Sequence, residues 1–178
     1  MKSRKHLCSL FLVPCSLLIV LCSLFPSCAI SYKFNGASID YSTTKTISIA
    51  DFPNHAPLVN PTLSSGLSEA IRDIYSRQTR LEILPQGGQL DLEGEITGYT
   101  VTPLSVAADS YAAETKLTIT VRVRFTNNVK PEESFDKTYT AYQTFDANRL
   151  LTEVQDELCE TMIEEISESI FNDTVAKW

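Results

Sequence analysis

Residues 116–125 read Lys-Leu-Thr-Ile-Thr-Val-Arg-Val-Arg-Phe. Leu117, Ile119, Val121, Val123 and Phe125 fall on one parity, and Lys116, Thr118, Thr120, Arg122 and Arg124 on the other. Successive side chains of a strand point to opposite faces, so this is a strand with one buried face and one hydrophilic face. A sheet built around it has a core on one side only. Its other side meets water or a polar partner.

The neighbouring segments extend the same sheet. Asn127-Asn128 and Pro131 break the chain after Phe125, within a turn expected over 126–133. Phe135 to Phe145 then returns as an antiparallel strand rich in Thr and Tyr. Upstream, residues 103–112 read as a loop. Before it Leu90, Leu92 and Ile96 alternate with Asp91, Glu93, Glu95 and Thr97, giving a strand that runs to about Thr102. Its apolar parity shifts to Tyr99 and Val101 after Gly98, which points to a bulge there. Leu81 to Leu84 is a short strand candidate before a Pro85-Gln86-Gly87-Gly88 turn, and Thr46 to Phe52 is the first strand.

Two helices complete the pattern. Asn60-Pro61 is a helix start, because Asn can cap and Pro at the first helical position lacks only a donor that the helix would leave unused. Leu63, Leu67, Ala70, Ile71, Ile74 and Tyr75 follow at three-to-four spacing, predicting a helix over 61–77. Leu151, Val154, Leu158, Met162, Ile163, Ile166 and Ile170 mark a longer one over 149–171. Its opposite face carries Glu153, Asp156, Glu157, Glu160, Glu164, Glu165 and Glu168, read as a solvated surface. The expected fold is α+β: two helices on one face of a mostly antiparallel or mixed sheet of about four long strands, in the order β-α-β-β-β-α.

The N-terminus has a different character. Lys2, Arg4, Lys5 and His6 precede an almost wholly apolar run from Leu7 to Phe25, followed by Leu24-Phe25-Pro26-Ser27-Cys28. A bulky apolar residue, two further residues ending in a small one and then Cys is the pattern cleaved in bacterial lipoproteins, with Cys28 acylated and left as the new N-terminus. Phe25 and Pro26 are unusual within it. An uncleaved anchor helix and an ordinary secretory signal are the other readings, although Pro14 and the Ser and Cys content weaken the anchor. Acyl chains on Cys28 would bind a membrane durably. The domains expected are a signal over 1–27, a lipidated tether over 28–44 and one α+β domain over 45–178.

The 178 residues carry 15 Lys+Arg and 22 Asp+Glu, a formal charge of -7. Loss of Lys2, Arg4 and Lys5 with the signal leaves 12 basic against 22 acidic residues, a net charge of -10. That field disfavours nucleic acid, which needs a positive surface to displace its counterions. With Cys28 acylated, Cys159 has no disulfide partner, and its apolar neighbours predict a buried, inert thiol.

No catalytic pattern emerges. His55 is the one histidine beyond the signal and lies in a Pro-rich loop. The chain lacks CxxC, HExxH, GxSxG and P-loop motifs. Asp91, Glu93 and Glu95 share a strand face and could in principle do acid–base work, but such alternation ordinarily marks the solvent side. The expectation is a non-enzymatic protein without a cofactor other than the covalent lipid on Cys28.

The chain resembles the LPS-assembly lipoproteins of the LptE type. The likeness is carried by the lipoprotein start, by Tyr41–Ala50 leading into Phe52-Pro53-Asn54, and by Leu58-Val59-Asn60-Pro61. Further support comes from 90–96, Leu117–Val121, Phe125-Thr126-Asn127 and the ending from Ile170 to Trp178. It implies a lipid-anchored protein on the periplasmic face of the outer membrane. Such a protein plugs an LptD-type β-barrel translocon while lipopolysaccharide or lipooligosaccharide is delivered to the cell surface. It also implies basic residues that bind the glycolipid, for which Lys116, Arg122 and Arg124 are the candidates, since a guanidinium can grip a phosphate with two hydrogen bonds. The alternative is a free-standing envelope lipoprotein that binds a small ligand or another protein. Asp173-Thr174-Val175 resembles a short bacterial O-glycosylation pattern.

Overall fold

A computed structural model describes residues 39–58, 60–104 and 114–176. The signal segment, Cys28, the tether up to residue 38, most of the loop expected over 103–112 and the final two residues lie outside the described residues. Within them the order is β1 (Thr46–Ile49), α1 (Leu63–Gln78), β2 (Glu82–Leu84), β3 (Leu90–Pro103), β4 (Glu114–Asn127), β5 (Phe135–Asp146) and α2 (Leu151–Thr174). Two helices pack against a mixed five-stranded sheet of order β2-β1-β3-β4-β5. The short strand candidate over 81–84 is realised as β2, and it forms one edge.

β4 is the central long strand, paired antiparallel along its whole length with β3 and β5. Leu117, Ile119, Val121, Val123 and Phe125 are all no more than 1% exposed, as their alternation requires. β1 lies parallel to both β2 and β3; α1 supplies the crossover from β1 to β2, and residues 85–89 carry the chain past β1 to β3. The bulge anticipated at Gly98 is present: register advances from Ile96↔Val121 to Gly98↔Thr120, leaving Thr97 as the extra residue.

β1 stops at Ile49, three residues short of the expected Phe52. The chain still follows β3, with Ala50 N donating to Leu92 O and Ile96 N to Pro53 O, but α1 captures it. Phe52 N donates to Ser68 Oγ at 3.0 Å, and Ser64 Oγ donates to Phe52 O at 2.7 Å. Two helix serines thus satisfy backbone groups that a strand partner would otherwise take. The Phe52 ring is fully buried.

α1 buries Leu63, Leu67, Ile71, Ile74 and Tyr75. The helix starts two residues later than expected: Thr62, not Asn60, is the N-cap and makes no side-chain cap bond, while Asn60 Oδ1 accepts from Thr62 N at 3.1 Å in the turn that precedes the helix. α2 buries Val154, Cys159, Met162, Ile166 and Ile170 and continues to Thr174. The two helices run parallel. Asn60 meets Cys159 at one end, and Tyr75 packs edge-on against Phe171 at the other, with ring centroids 5.3 Å apart.

Candidate functional site

Residues directly opposite one another in an antiparallel pair share a face, so the register defines the uncovered side of the sheet. Across β3, β4 and β5 it reads Thr102–Lys116–Thr144, Thr100–Thr118–Tyr142, Gly98–Thr120–Thr140, Glu95–Arg122–Thr138 and Glu93–Arg124–Asp136. Threonine dominates one half and charge the other. Both helices occupy the opposite side, so no layer of the described residues covers this one.

The charged half is a connected network. Arg122 grips Asp136 with both prongs, Nε to Oδ1 at 3.0 Å and Nη2 to Oδ2 at 2.8 Å. Arg124 Nη1 donates to Glu93 Oε1 at 3.1 Å, and its Nη2 lies 3.6 Å from Asp136 Oδ2. His55 Nδ1 is 3.0 Å from Glu95 Oε2. The hydrogen bonds from Arg122 hold the Asp136 carboxyl below the usual carboxylate range, and the same bonds raise the Arg122 guanidinium. Beside them lies an open depression of about 370 Å³ bordered by Ala50, Asp51 and Pro53 as well as this cluster.

The structure therefore brings Arg122 and Arg124 together but leaves neither unengaged. Three carboxylates face two guanidiniums, so a phosphate entering here would have to displace Asp136 or Glu93. Lys116 is elsewhere: six residues along the same strand, at about 3.3 Å each, place it about 20 Å from Arg122. It sits over the Tyr142 ring, 5.6 Å from the centroid, with no ion pair among the described residues. His55, read as a bare loop residue, has Glu95 as a partner because the irregular segment after β1 lies alongside β3.

The acids weighed for acid–base work are occupied. Asp91 bonds Ser48 Oγ and, at 2.7 Å, accepts from Asn128 Nδ2. Glu93 and Glu95 hold Arg124 and His55. Among the described residues no three His, Cys, Asp or Glu side chains gather as a metal cage. Such a surface can hydrogen-bond and align a partner.

Two other sequence readings meet the structure here. Cys159 is 6% exposed, as expected, and burial pushes its thiol pKa up. Thr174 of the suggested glycosylation pattern is buried, its hydroxyl bonded to Tyr75 Oη and to Ile170 O at 2.8 Å. In the folded chain that oxygen is therefore occupied by packing and hydrogen bonds. Its neighbour Asp173 instead joins Lys137 and Tyr139 of β5, tying the end of α2 to the sheet edge.

On the opposite side of the molecule a groove of about 920 Å³ separates α1 from α2. The sequence reading missed it. The signals were small residues on α1, Gly66 and Ala70, which hold no bulk between the helices.

The family model described as LptE, Lipopolysaccharide-assembly, matches residues 44–174. No curated protein matches the sequence. Among solved structures, the minor lipoprotein of Acinetobacter baumannii shares 13% identity over 71% of this chain and 89% of its own, with a TM-score of 0.46. A hypothetical protein of Chlamydia trachomatis shares 11% over 71% and 93%, with a TM-score of 0.49. The rare lipoprotein B of Shewanella oneidensis shares 11% over 71% and 92%, with a TM-score of 0.46.

Proposed function

Because the chain belongs to the LptE family of lipopolysaccharide-assembly proteins, we propose that it is an outer-membrane lipoprotein that seats its uncovered sheet face inside an LptD-type β-barrel. Acyl chains on Cys28 hold it at the periplasmic face, and it plugs and supports the translocon that delivers lipopolysaccharide or lipooligosaccharide to the surface. It is a scaffold in this reading and has no enzymatic step.

The observation that carries the proposal is the composition of the uncovered face. A translocon barrel has a polar interior, and a plug must present polar groups without carrying unpaired charge into that space. Thr118, Thr120, Thr138 and Thr140 supply hydroxyls that donate and accept on stiff, β-branched side chains, which lose little rotamer freedom on contact. Arg122, Arg124, Asp136 and Glu93 neutralise one another before any partner arrives, and Lys116, over the Tyr142 ring, is left as the cation of this face with no ion pair among the described residues. A face of this kind suits a hydrophilic wall better than a lipid surface.

Direct glycolipid contact belongs to the same proposal and falls to Lys116, Arg122 and Arg124. Exchange of both arginines for glutamine keeps a polar side chain and removes the charge and the two-pronged grip on phosphate. Loss of glycolipid binding in the folded variant supports contact at this cluster, and unchanged binding removes it.

Co-purification tests the plug itself. The full chain, extracted in detergent, should bring a large β-barrel with it at one-to-one ratio, and depletion should make the outer membrane permeable. A chain recovered alone, with glycolipid export normal after its loss, sinks the proposal. The helix groove, within the size range of small-ligand sites, is what favours the second reading of a free-standing binding module.

A further inference from the structure

The groove between α1 and α2 combines an apolar floor with a rim that is acidic along α2 and carries the paired Asp73 and Arg77 on the α1 side. Ala70 and Ile74 of α1 and Ile163 of α2 line it. Ala70 and Ile163 are only half-buried, and α1 approaches α2 closely at Gly66, where an added Cβ would stand 3.3 Å from Ile163 Cδ1. Along the α2 side stand Asp156, Glu160, Glu164 and Glu168. At four-residue spacing they form one row that slants around the helix, spanning about 18 Å along its axis at about 1.5 Å per residue.

This charge is uncompensated within the described residues. α2 contains no Lys or Arg from Leu151 to Thr174, and none of the four ridge acids forms an ion pair among the described residues. Like charges four apart destabilise a helix. Glu93, Glu95 and Asp136 each have a cationic or histidine partner, and Asp73 across the groove is held by Arg77 at 2.6 Å, whereas Glu153 and Glu157 on α2, outside the groove, are unpaired among the described residues like the ridge acids. A merely solvated face accounts for acidic residues. It does not account for their alignment along an unfilled apolar trough.

We propose that this groove is a docking site for a cationic amphipathic helix of a protein partner, with Lys or Arg at four-residue spacing along the α2 ridge and aliphatic side chains on the floor. Charge complementarity selects the occupant. A second copy of this chain would bring its own acidic ridge against this one, and anionic lipid or nucleic acid would be repelled. A third helix laid between two parallel ones completes a helical layer on the side of the sheet away from the threonine face. The inference does not depend on the barrel proposal, since it uses the opposite surface.

The probe is a synthetic 18-residue helix with Lys on one face at four-residue spacing and Leu on the other, labelled for fluorescence anisotropy against the full chain in detergent at low salt. Salt-sensitive binding is expected, at least about tenfold weaker for a scrambled peptide of the same composition. Glu160→Lys with Glu164→Lys should weaken binding by at least about tenfold and keep the fold, because it relieves repulsion within α2. Ala70→Trp, which fills the floor without changing charge, should also abolish it. Absence of binding, equal affinity for the scrambled peptide, or full affinity in the folded charge-reversed chain would each overturn the proposal.

Discussion

The ring of Phe52 lies on the α-carbon of Gly94, so close that a Cβ added there would stand 2.5 Å from Phe52 Cε1 and 2.5 Å from Arg122 O. One contact thereby couples the buried face of β3 to the strand that carries the charged cluster. Gly94→Ala forces the ring or the β4 backbone to move and should cost about 1–3 kcal/mol, as overpacking does. Phe52→Ala leaves a cavity and should cost about 3–5 kcal/mol. Thermal unfolding of the two variants gives both values, and a Gly94→Ala chain as stable as the parent would show that the contact relaxes freely.

Tyr75 and Thr174 join their hydroxyls in the interior where α1 meets α2. Burial raises the Tyr75 pKa far above its ordinary value, which keeps the phenol neutral as a donor. Thr174→Val strands that phenol without its partner and should cost about 1–3 kcal/mol. Tyr75→Phe should cost less, because the Thr174 hydroxyl still has Ile170 O. The double variant, with both groups apolar, should cost less than the sum, and strict additivity in the cycle would contradict the pairing. Mass spectrometry of the same chain should find Thr174 unmodified.

The grip of Arg122 on Asp136 predicts a direction with pH. A carboxyl whose folded pKa is depressed binds protons more readily in the unfolded chain, so its contribution is complete above the ordinary Asp value. It is lost as pH falls from there through the depressed folded value. Carboxyl-carbon NMR should give Asp136 a midpoint below that of an unperturbed aspartate, and Arg122→Gln should move it upward. An unmoved midpoint would remove the guanidinium as the cause. Both groups are exposed, so the effect is expected in the titration more than in stability.

Cys159 is predicted to be inert in the folded chain. Its thiol is held at elevated pKa by burial and lies 3.8 Å from Tyr99 Oη, whose own pKa is pushed up to about 12. A thiol reagent at pH 8 should modify it far more slowly than after denaturation, since reaction needs the exposed thiolate. Equal rates before and after unfolding would show that the helix layer opens readily at that point.

The sequence is most informative where one periodicity acts alone. Leu117 to Phe125 alternates without interruption, and the strand, its buried face and its polar face all follow from that. The α1 stripe was similarly clear because Leu63, Leu67, Ile71 and Ile74 recur at helical spacing, and the bulge at Gly98 showed as a shift of parity. What escaped depended on contacts distant in the chain. Phe52 alternates as a strand residue, and only Ser64 and Ser68, polar residues on a helix, draw its backbone away. Arg122 and Arg124 had the right character for an anion site, yet their engagement by Asp136 and Glu93 comes from strand register, which no local pattern encodes. The same holds for His55 and Glu95. The interhelical groove escaped because Ala70 counts with the apolar stripe although its methyl is too small to fill the space between the helices, and Gly66 adds no side chain there.

Site-specific photocrosslinking in cells tests the central claim most directly. A photoreactive residue at Thr120 or Thr140, directly opposite one another in register on the uncovered face, should form a single major adduct with a large outer-membrane β-barrel. Failure of both positions to capture any barrel protein, in cells where the chain is lipidated and folded, would contradict the account.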